Sequence, residues 1–304
     1  MAASLAPLQT VFGERVLLNE PLARYTAARI GGPAKALFVV QSAAELAQAA
    51  SLLWENAEPF ILLGGGSNVL VSDRGISQVV LLNRARHIRF APEAEPPYVW
   101  AESGANTGVI ARQAAQKGLG SFEWAAGIPG TLGGAVVGNA GAHGGDMAGN
   151  LRVAEILQHT GQREIWPVER LEYAYRSSLL KQYPGTGIVL SAEIGLAHRP
   201  VNEIEDMMNR YLAHRRRTQP PGASMGSMFK NPPGDYAGRL IEAAGLKGTR
   251  IGEAEISSLH GNFFLNLGQA RASEVRQLID LARATVAEKF GIELDLEIEY
   301  LGDW

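Results

Sequence analysis

The sequence predicts a mixed α and β protein of two or three domains. Its 304 residues exceed the roughly 100–200 residues of an ordinary single domain. An apolar strand pattern at Ala36–Val40 is followed by a helical pattern and then by a second short apolar run, "PFILL", which is typical of α/β structure. The composition changes near residue 200, where a helical stretch ends in three arginines before Pro220 and Pro221. These observations predict an α/β N-terminal part and a separate C-terminal part.

The N-terminal part has recognisable element boundaries. Ser42 and Glu45 have capping-box spacing at the start of the helical pattern "AAELAQAASLLWE". The Pro- and Glu-rich run "FAPEAEPPYV" marks a loop or subdomain boundary near residue 90. The later segments "YVWAESG", "VAEILQ", "REIWPV" and "IVLSAEIGL" have strand patterns. Between the first two of these strands, "TGVIARQAAQKGLG" predicts a helix closed by Gly118 and Gly120.

After the helical stretch "VNEIEDMMNRYLAHRRRTQ", the sequence of the C-terminal part predicts two further helices, the short strand "NFFLNL" and a final strand. The helices are "DYAGRLIEAAGLKG" and the long "SEVRQLIDLARATVAEKFG", for which Ser273 is the expected N-cap. In the final segment "GIELDLEIEY", apolar residues from Ile292 to Tyr300 alternate with four acids. This alternation predicts a strand with one apolar face and one acidic face.

Composition excludes several kinds of chemistry. The net charge of −3, with 19% charged residues, gives no general attraction to nucleic acid or to an anionic membrane. Because there are no cysteines, disulfides, thiolate metal sites and cysteine nucleophiles are excluded. The start "MAASLAPLQTVFGERV" lacks a basic segment followed by an apolar one, so we expect a cytoplasmic protein without a secretory signal. Ala125–Ala142 is uncharged, but its six glycines and one proline disfavour a membrane helix.

Two glycine-rich loops are candidate phosphate sites. Gly64–Gly66 directly follow a strand, with Ser67 and Asn68 as added donors, and Gly133 and Gly134 could open a short helix in the second loop. Neither loop is a G-x-G-x-x-G or a G-K-[ST] motif, so a Rossmann site and a P-loop are not supported. One glycine turn alone is more often structural than functional. Two such loops favour a large phosphorylated cofactor, without identifying it.

Several longer segments resemble a known enzyme family. "YTAARIGGPAKA", "LLGGGSNVLV" and "EWAAGIPGTLGGAVVGNAGAHGGDM" resemble the FAD-binding segments of the UDP-N-acetylenolpyruvoylglucosamine reductases. "YAYRSS" is similar to the family's Tyr-Arg-x-Ser motif, and "GSMFKNP" to its G-S-x-F-K-x-P motif. The resemblance also covers "AGRLIEAAGLKGTRIGEAEISSLHGNFFLN", so that the matching segments follow one another in order from about residue 20 to residue 301. Only about fifty residues of sequence separate Arg176 from Ser227. In this respect the chain resembles the shorter, type II members of the family.

The resemblance implies an α+β fold with a vanillyl-alcohol-oxidase/PCMH-type FAD-binding domain in two subdomains, followed by a C-terminal α+β substrate-binding domain. The implied boundaries are residues 1–85, 86–200 and 201–304. The resemblance also implies non-covalent FAD and NADPH as the hydride donor. The implied cofactor-binding residues are Gly64, Gly65, Gly66, Ser67, Asn68, Gly104, Ala105, Gly130, Thr131, Gly133, Gly134, Asn139 and Ala140.

The implied reaction is reduction of the enolpyruvyl group of UDP-N-acetylglucosamine enolpyruvate to UDP-N-acetylmuramate, in peptidoglycan precursor synthesis. The implied catalytic residues are Arg176 for the substrate carboxylate, Ser227 as the proton donor to C2, and Glu297 as a carboxylic acid that positions the substrate and assists the proton. Residue type alone would make each of them structural or surface. The implied substrate-binding residues are Tyr175, Arg215, Lys230, Asn231, Lys247, His260, Asn262 and Asn266.

Two departures from the family pattern bear on the site. The final segment has Leu296 and Glu299 where the family commonly has a proline and an arginine, which leaves the orientation of Glu297 open. His143 stands where the family often has an aromatic residue.

Two alternative functions remain at this point: an FAD oxidase of the same fold, and a non-catalytic nucleotide-sugar-binding protein. We expect a monomer with a small-molecule substrate, no metal, no nucleic acid and no membrane partner.

Overall fold

The computed structural model describes residues 5–304, so the first four residues of the "MAASLAPLQTVFGERV" segment lie outside the described part. Along this part the α-helices are α1 (Ala6–Phe12), α2 (Ala43–Glu55), α3 (Thr107–Gln116), α4 (Leu132–Gly138), α5 (Met147–Asn150), α6 (Leu179–Gln182), α7 (Val201–Thr218), α8 (Ala237–Ala243) and α9 (Ala272–Phe290). Short 3-10 helices lie at Gly13–Arg15, Leu22–Tyr25, Glu123–Gly127 and Val168–Leu171. None of the helices in residues 5–304 is long and apolar enough to span a membrane.

The strands are β1 (Val16–Pro21), β2 (Pro33–Val40), β3 (Phe60–Leu63), β4 (Val69–Val71), β5 (Ile76–Asn83), β6 (Ile88–Ala91), β7 (Tyr98–Glu102), β8 (Leu119–Gly120), β9 (Gly141–Ala142), β10 (Gly145–Asp146), β11 (Leu151–Gln158), β12 (Arg163–Pro167), β13 (Gly187–Gly195), β14 (Ala197–His198), β15 (Ala223–Ser227), β16 (Arg250–Ile251), β17 (Ala254–Ile256), β18 (Phe263–Asn266) and β19 (Glu299–Leu301). The larger sheets have the strand orders β1-β2-β5-β3, β12-β11-β13-β7-β6 and β15-β18-β17-β16.

The contacts divide the chain into two compact units. Unit 1 holds the chain up to residue 17 together with residues 37–65 and 80–214. Unit 2 holds residues 18–36, 66–79 and 215–304. The C-terminal segment thus forms a unit with two N-terminal segments rather than by itself. The division at residues 85 and 200 stays a prediction about domains, because the two units group the chain by contacts alone.

Unit 1 is built on the antiparallel sheet β12-β11-β13-β7-β6. Its core includes Val99 and Ile194 from this sheet and Ile110 from α3. Helix α2 begins as the sequence predicts, since the side chain of Ser42 accepts a hydrogen bond from the N–H of Glu45 at 3.1 Å. The buried Glu102 of β7 adds a second acceptor for the same helix end, at 2.7 Å from the N–H of Ala43.

Unit 2 contains the antiparallel sheet β15-β18-β17-β16 and the long helix α9. Val275, Leu278 and Ile279 of α9 are fully buried in its core. The expected N-cap Ser273 is wrong, because α9 begins at Ala272 and Arg271 is its N-cap residue. The carboxylate of Asp73 instead accepts hydrogen bonds from the N–H groups of Ala272 and Ser273, at 2.7 and 3.0 Å.

The final strand is shorter than the sequence predicts. Only Glu299–Leu301 form β19, which pairs in parallel with β4, while Leu296 makes an isolated bridge to Phe229. The alternation of burial nevertheless extends further back: Leu294 and Ile298 are buried, whereas Glu293, Asp295 and Glu299 are exposed. The apolar period therefore gives the correct face but not the length, because β4 supplies only three residues for pairing.

Candidate active site

The two glycine-rich loops approach each other within unit 1. A Cβ atom on Gly64 would lie 2.4 Å from the hydroxyl oxygen of Thr131, and one on Gly65 would lie 3.0 Å from the Cα of Gly130. Side chains are thus excluded from both facing backbones. The guanidinium of Arg84 donates to the carbonyl of Gly64 at 2.7 Å, which fixes the first loop from its other side.

A third segment, Ser103–Ala105, holds the second loop in place. The N–H of Gly133 donates to the carbonyl of Ser103 at 2.7 Å, and the N–H of Leu132 donates to that of Ala105 at 2.8 Å. A Cβ on Gly104 would lie only 2.6 Å from the carbonyl oxygen of Ala85, so this position also requires glycine. The sequence prediction gave Gly104 and Ala105 as cofactor residues, and the structure brings them to the glycine loops.

This part of unit 1 fits a pyrophosphate-bearing cofactor. Gly133, like Gly64 and Gly65, is packed so closely that a side chain would not fit, since its Cβ would lie 2.9 Å from the Cβ of Ser103. The N–H groups of successive glycines in such loops are suited to binding a phosphate. Thr131 is the N-cap of α4 but makes no side-chain cap hydrogen bond. Its hydroxyl and the α4 N-terminus therefore suit an anionic group. These residues could hold the FAD pyrophosphate. Gly134 lies in the first turn of the same helix.

The rest of the first loop belongs to unit 2. Gly66 has a φ of +61°, and a Cβ there would lie 2.3 Å from the carbonyl oxygen of Tyr25. Its own carbonyl accepts from the N–H of Ala27 at 2.9 Å. Ser67 and Asn68 follow Gly66 and are half-buried. The backbone of the loop is therefore fixed at Gly66, immediately before the polar side chains of Ser67 and Asn68.

Arg176 occupies a strained turn in unit 1. Ala174 and Ser177 exchange backbone hydrogen bonds of 3.1 Å, which places Tyr175 and Arg176 at the tip of a two-residue turn. Arg176 has a φ of +55°, in the left-handed region that favours glycine and asparagine. Its guanidinium donates to the carbonyl of Gly141 at 3.0 Å. Such strain is concentrated at functional sites, so the turn is a functional candidate on structural grounds.

The segment around Arg176 is attached to the second glycine loop. The hydroxyl of Ser178 donates to the carbonyl of Val137 at 2.6 Å, and that of Tyr173 donates to the carbonyl of Val136 at 2.8 Å. Burial, with a smaller contribution from the charge of Asp146, raises the pKa of Tyr173, which keeps this hydroxyl protonated. The Tyr-Arg-x-Ser motif and helix α4 therefore form one hydrogen-bonded assembly.

Asn139 and Ala140 take part in the same assembly. The side-chain amide of the buried Asn139 donates to the carbonyl of Ala174 at 3.0 Å and accepts from the N–H of Ala148 at 3.0 Å. The carbonyl of Ala140 accepts from the N–H of Met147 at 3.0 Å. Both were predicted to bind the cofactor.

His143 stacks on helix α7. Its ring lies parallel to that of Tyr211, with centroids 4.2 Å apart and an interplanar angle of 2°, and edge-on to His214 at 5.7 Å. His143 stands at the turn between β9 and β10, whose first residue, Gly141, accepts from Arg176. An aromatic ring at this position, as in the family pattern, could stack in the same way.

Ser227 and Glu297 lie on neighbouring segments of unit 2. The N–H of Glu297 donates to the carbonyl of Met228 at 2.9 Å, and the N–H of Lys230 donates to the carbonyl of Asp295 at 2.8 Å. Ser227 is the last residue of β15 and directly precedes Met228. Among the four acids of the final segment, Glu297 alone is half-buried, whereas the other three are exposed. The structure therefore distinguishes Glu297 from its neighbours by burial and brings its segment beside that of Ser227.

Two of the predicted substrate-binding residues, Asn262 and Asn266, hydrogen-bond the backbone of unit 2. The side-chain amide of Asn262, which is 3% exposed, accepts from the N–H of Phe229 at 2.9 Å and donates to its carbonyl at 2.7 Å. Asn266 donates to the carbonyl of Ala28 at 2.9 Å and accepts from the N–H groups of Gly268 and Ala270. Both side chains bond the backbone, which no short sequence pattern would have indicated.

The other predicted substrate ligands in unit 2 are polar residues that differ in how far they are exposed to solvent. Burial lowers the pKa of Arg215, and this residue is half-buried whereas Arg216 and Arg217 are exposed.

The side chain of Asn231 accepts a hydrogen bond of 3.1 Å from the N–H of Ala237, at the start of α8. Lys247 forms an ion pair with Glu242 at 3.0 Å. Burial and the charge of Lys247 lower the pKa of His260, which favours its neutral form. Lys230 is half-buried.

Comparison with known proteins places these features in a family. Residues 218–301 match the model described as "UDP-N-acetylenolpyruvoylglucosamine reductase, C-terminal domain", and residues 34–162 match an FAD binding domain. The chain is 44% identical over 286 residues to the UDP-N-acetylenolpyruvoylglucosamine reductase of Chloroflexus aggregans, covering 93% of this chain and 96% of that relative. It is 42% identical to the enzyme of the same name from Rubrobacter xylanophilus, covering 94% of this chain and 95% of the relative.

A solved structure gives the same result for the fold. The crystal structure of the UDP-N-acetylenolpyruvylglucosamine reductase from Thermus caldophilus matches with a TM-score of 0.80 at 38% identity. The match covers 94% of this chain and 99% of that one. The predicted fold class, an FAD-binding domain followed by a C-terminal α+β domain, is therefore confirmed.

Proposed function

The chain belongs to the UDP-N-acetylenolpyruvoylglucosamine reductase family, and we propose that it reduces UDP-N-acetylglucosamine enolpyruvate to UDP-N-acetylmuramate with NADPH. This reaction would serve peptidoglycan precursor synthesis in the cytoplasm. One observation carries the proposal. The N–H of Glu297 donates to the carbonyl of Met228, the residue directly after Ser227, in a chain that is similar to these reductases over nearly all of its length. FAD, when bound by the glycine loops, would relay hydride between NADPH and the enolpyruvyl CH₂.

Arg176 is proposed to bind the substrate carboxylate. Hydride addition at C3 moves negative charge onto C2 and the adjoining carboxylate, so a fixed guanidinium there lowers the barrier. A guanidinium can bind a carboxylate through two parallel hydrogen bonds. The strained turn and the bond to Gly141 support this role, because they fix the direction of the Arg176 side chain before substrate arrives.

Ser227 is proposed to donate the proton to C2. An alcohol is a weak acid, and it can act as the donor only because a carbanion-like C2 is strongly basic. Such a donor needs accurate placement more than an altered pKa. Gly226, with a φ of +78°, sets the backbone immediately before Ser227. Glu297 is proposed to position the substrate and assist the proton transfer from the neighbouring segment.

The uridine diphosphate is assigned to polar groups of unit 2. Arg215 and Lys230 supply half-buried positive charge for a diphosphate. The neutral His260 accepts from the N–H of Asn262 through Nδ1 at 3.2 Å, which leaves Nε2 as the proton-bearing nitrogen and a donor. Tyr175, at the tip of the Arg176 turn in unit 1, is 56% exposed and is separately proposed to contact the substrate.

The test is an NADPH oxidation assay with purified protein. The protein should have a flavin absorption spectrum, and NADPH should be consumed only when the enolpyruvyl UDP-sugar is added. UDP-N-acetylglucosamine without the enolpyruvyl group is the matched control and should give no consumption. NADPH consumption that instead depends on O₂ would favour an oxidase. Binding of the UDP-sugar without any turnover would favour a non-catalytic nucleotide-sugar-binding protein.

A further inference from the structure

The side chain of Asn68 bonds the backbone of Glu297. Its amide nitrogen donates to the carbonyl of Glu297 at 3.0 Å, and its own backbone carbonyl accepts from the N–H of Glu299 at 3.0 Å. We propose that Asn68 is a positioning residue for Glu297, in addition to any contact it makes with the cofactor as part of the first glycine loop. This inference rests on the proposed function, because it assigns Asn68 to the proton-delivery step of that reaction.

The bond from Asn68 continues a strand pairing that would otherwise end. Strand β19 pairs in parallel with β4 from Glu299 and Val69 onward. Asn68 immediately precedes Val69, and its side chain reaches two residues further back along the final segment, to Glu297. The amide group therefore takes the place of a backbone donor at the point where regular pairing stops.

The opposite edge of Glu297 is held by the segment that carries Ser227. The N–H of Glu297 donates to the carbonyl of Met228, and the N–H of Met228 in turn donates to the carbonyl of Asn262 at 2.8 Å. Asn262 also holds both backbone groups of Phe229. Glu297 thus lies between a segment fixed by Asn262 on one side and the Asn68 amide on the other.

A side-chain bond is needed because the regular sheet is interrupted here. The pairing of β15 with β18 shifts register between Ser224 and Ser227, and Phe229 and Leu296 form only an isolated bridge. A continuous ladder therefore does not fix the backbone at Glu297. A catalytic carboxyl group must be held to within about 0.5 Å of its working position, which a single hydrogen bond to its backbone can decide.

The test compares Asn68→Asp with wild-type holoenzyme in separate half-reactions. The change keeps the size of the side chain but replaces the donor with a carboxylate oxygen that repels the carbonyl of Glu297. Reoxidation by the enolpyruvyl substrate should slow roughly tenfold more than reduction of the bound flavin by NADPH does, as expected for one lost hydrogen bond. The solvent isotope effect on reoxidation should rise, because proton transfer becomes more rate-limiting.

The control is Asn56→Asp. The side chain of Asn56 also donates to a backbone carbonyl, that of Leu52 at 2.8 Å, but it lies at the end of α2 in unit 1. Both half-reactions of this variant should match wild type. If Asn68→Asp does not fold, Asn68→Ala removes the same bond without adding charge, and failure of both to fold would overturn the positioning role in favour of a purely structural one.

A double substitution distinguishes positioning from a separate cofactor role. If Asn68 acts through Glu297, then adding Asn68→Asp to Glu297→Gln should slow reoxidation by less than about twofold more, because the two residues act as one unit. Independent, multiplicative effects would overturn the inference, as would weakened FAD binding with equal slowing of both half-reactions. Failure of the proposed function is a different result: wild-type protein would then not consume NADPH with the enolpyruvyl substrate.

Discussion

The guanidinium of Arg176 donates to the carbonyl of Gly141 at 3.0 Å and so connects the Tyr-Arg-x-Ser turn to the hairpin that follows the second glycine loop. The same hairpin carries His143 against Tyr211. Arg176 is therefore fixed by the hairpin that follows the loop proposed to hold the cofactor. A change at this side chain should affect the substrate step more than the fold, because the turn itself is closed by backbone bonds between Ala174 and Ser177.

Arg176→Lys should slow flavin reoxidation by the enolpyruvyl substrate roughly 10²-fold, since a lysine cannot supply the planar, two-pronged contact to a developing charge. Reduction by NADPH should remain near wild type, and the flavin spectrum should report intact cofactor binding. Arg170→Lys is the matched control: Arg170 stacks on Trp166 and pairs with Glu164, and its replacement should leave turnover unchanged. Unchanged reoxidation in Arg176→Lys would remove Arg176 from the carboxylate role.

Gly64→Ala should weaken FAD binding, because the new Cβ would lie 2.4 Å from the hydroxyl oxygen of Thr131 and push the two glycine loops apart. We expect at least a tenfold higher FAD dissociation constant in fluorescence titrations of apoprotein, equivalent to about 1.4 kcal/mol. Gly138→Ala is the control, since a Cβ there meets nothing within 4 Å and alanine favours the helix. Equal FAD affinity in the two variants would contradict the assignment of the first glycine loop to the FAD-binding site.

Asp73→Asn should destabilise the protein by about 1 kcal/mol at neutral pH, because the charge is lost from the N-terminus of α9. Burial opposes ionisation of Asp73, but hydrogen bonds from Ser273 and Ala272 outweigh it and lower the pKa of its carboxyl group. A lowered pKa contributes stability above the pKa of the unfolded chain, and that contribution is lost as pH falls through the folded pKa.

Urea unfolding at neutral and acidic pH tests this sign. The stability difference between wild type and Asp73→Asn should be largest near neutral pH and should shrink below about pH 4, the ordinary pKa of an aspartate. Asp280→Asn makes the same charge change on the exposed face of α9 and should alter stability by less than about 0.5 kcal/mol. A difference that grows towards acidic pH would contradict the proposed capping by Asp73.

Local pattern predicted those parts of the fold that depend on nearby residues. The Ser42 cap lies three residues from its partner, Glu45, and the inward face of Leu294 and Ile298 follows from simple alternation. The cap of α9 could not be predicted in this way, because Asp73 is about 200 residues away along the chain. Proximity in space, not in sequence, selected Asp73 over Ser273.

The same limit applies to the site. Motif similarity identified Ser227 and Glu297, and the structure adds that their segments are hydrogen-bonded. Similarity grouped Asn262 with the substrate ligands, which stays a prediction, and the structure adds that its amide bonds both backbone groups of Phe229. A motif preserves residue identity without stating whether a side chain faces a ligand or the backbone, so only the folded chain distinguishes these roles.

The most direct measurement is a stopped-flow comparison of Ser227→Ala with Ser224→Ala. Both serines are half-buried in β15, so the two changes have similar structural cost. Both variants should accept hydride from NADPH at near wild-type rates. Reoxidation by the enolpyruvyl substrate should slow by roughly 10²-fold or more in Ser227→Ala and remain at the wild-type rate in Ser224→Ala. Equal reoxidation rates in the two variants would contradict the assignment of Ser227 as the proton donor.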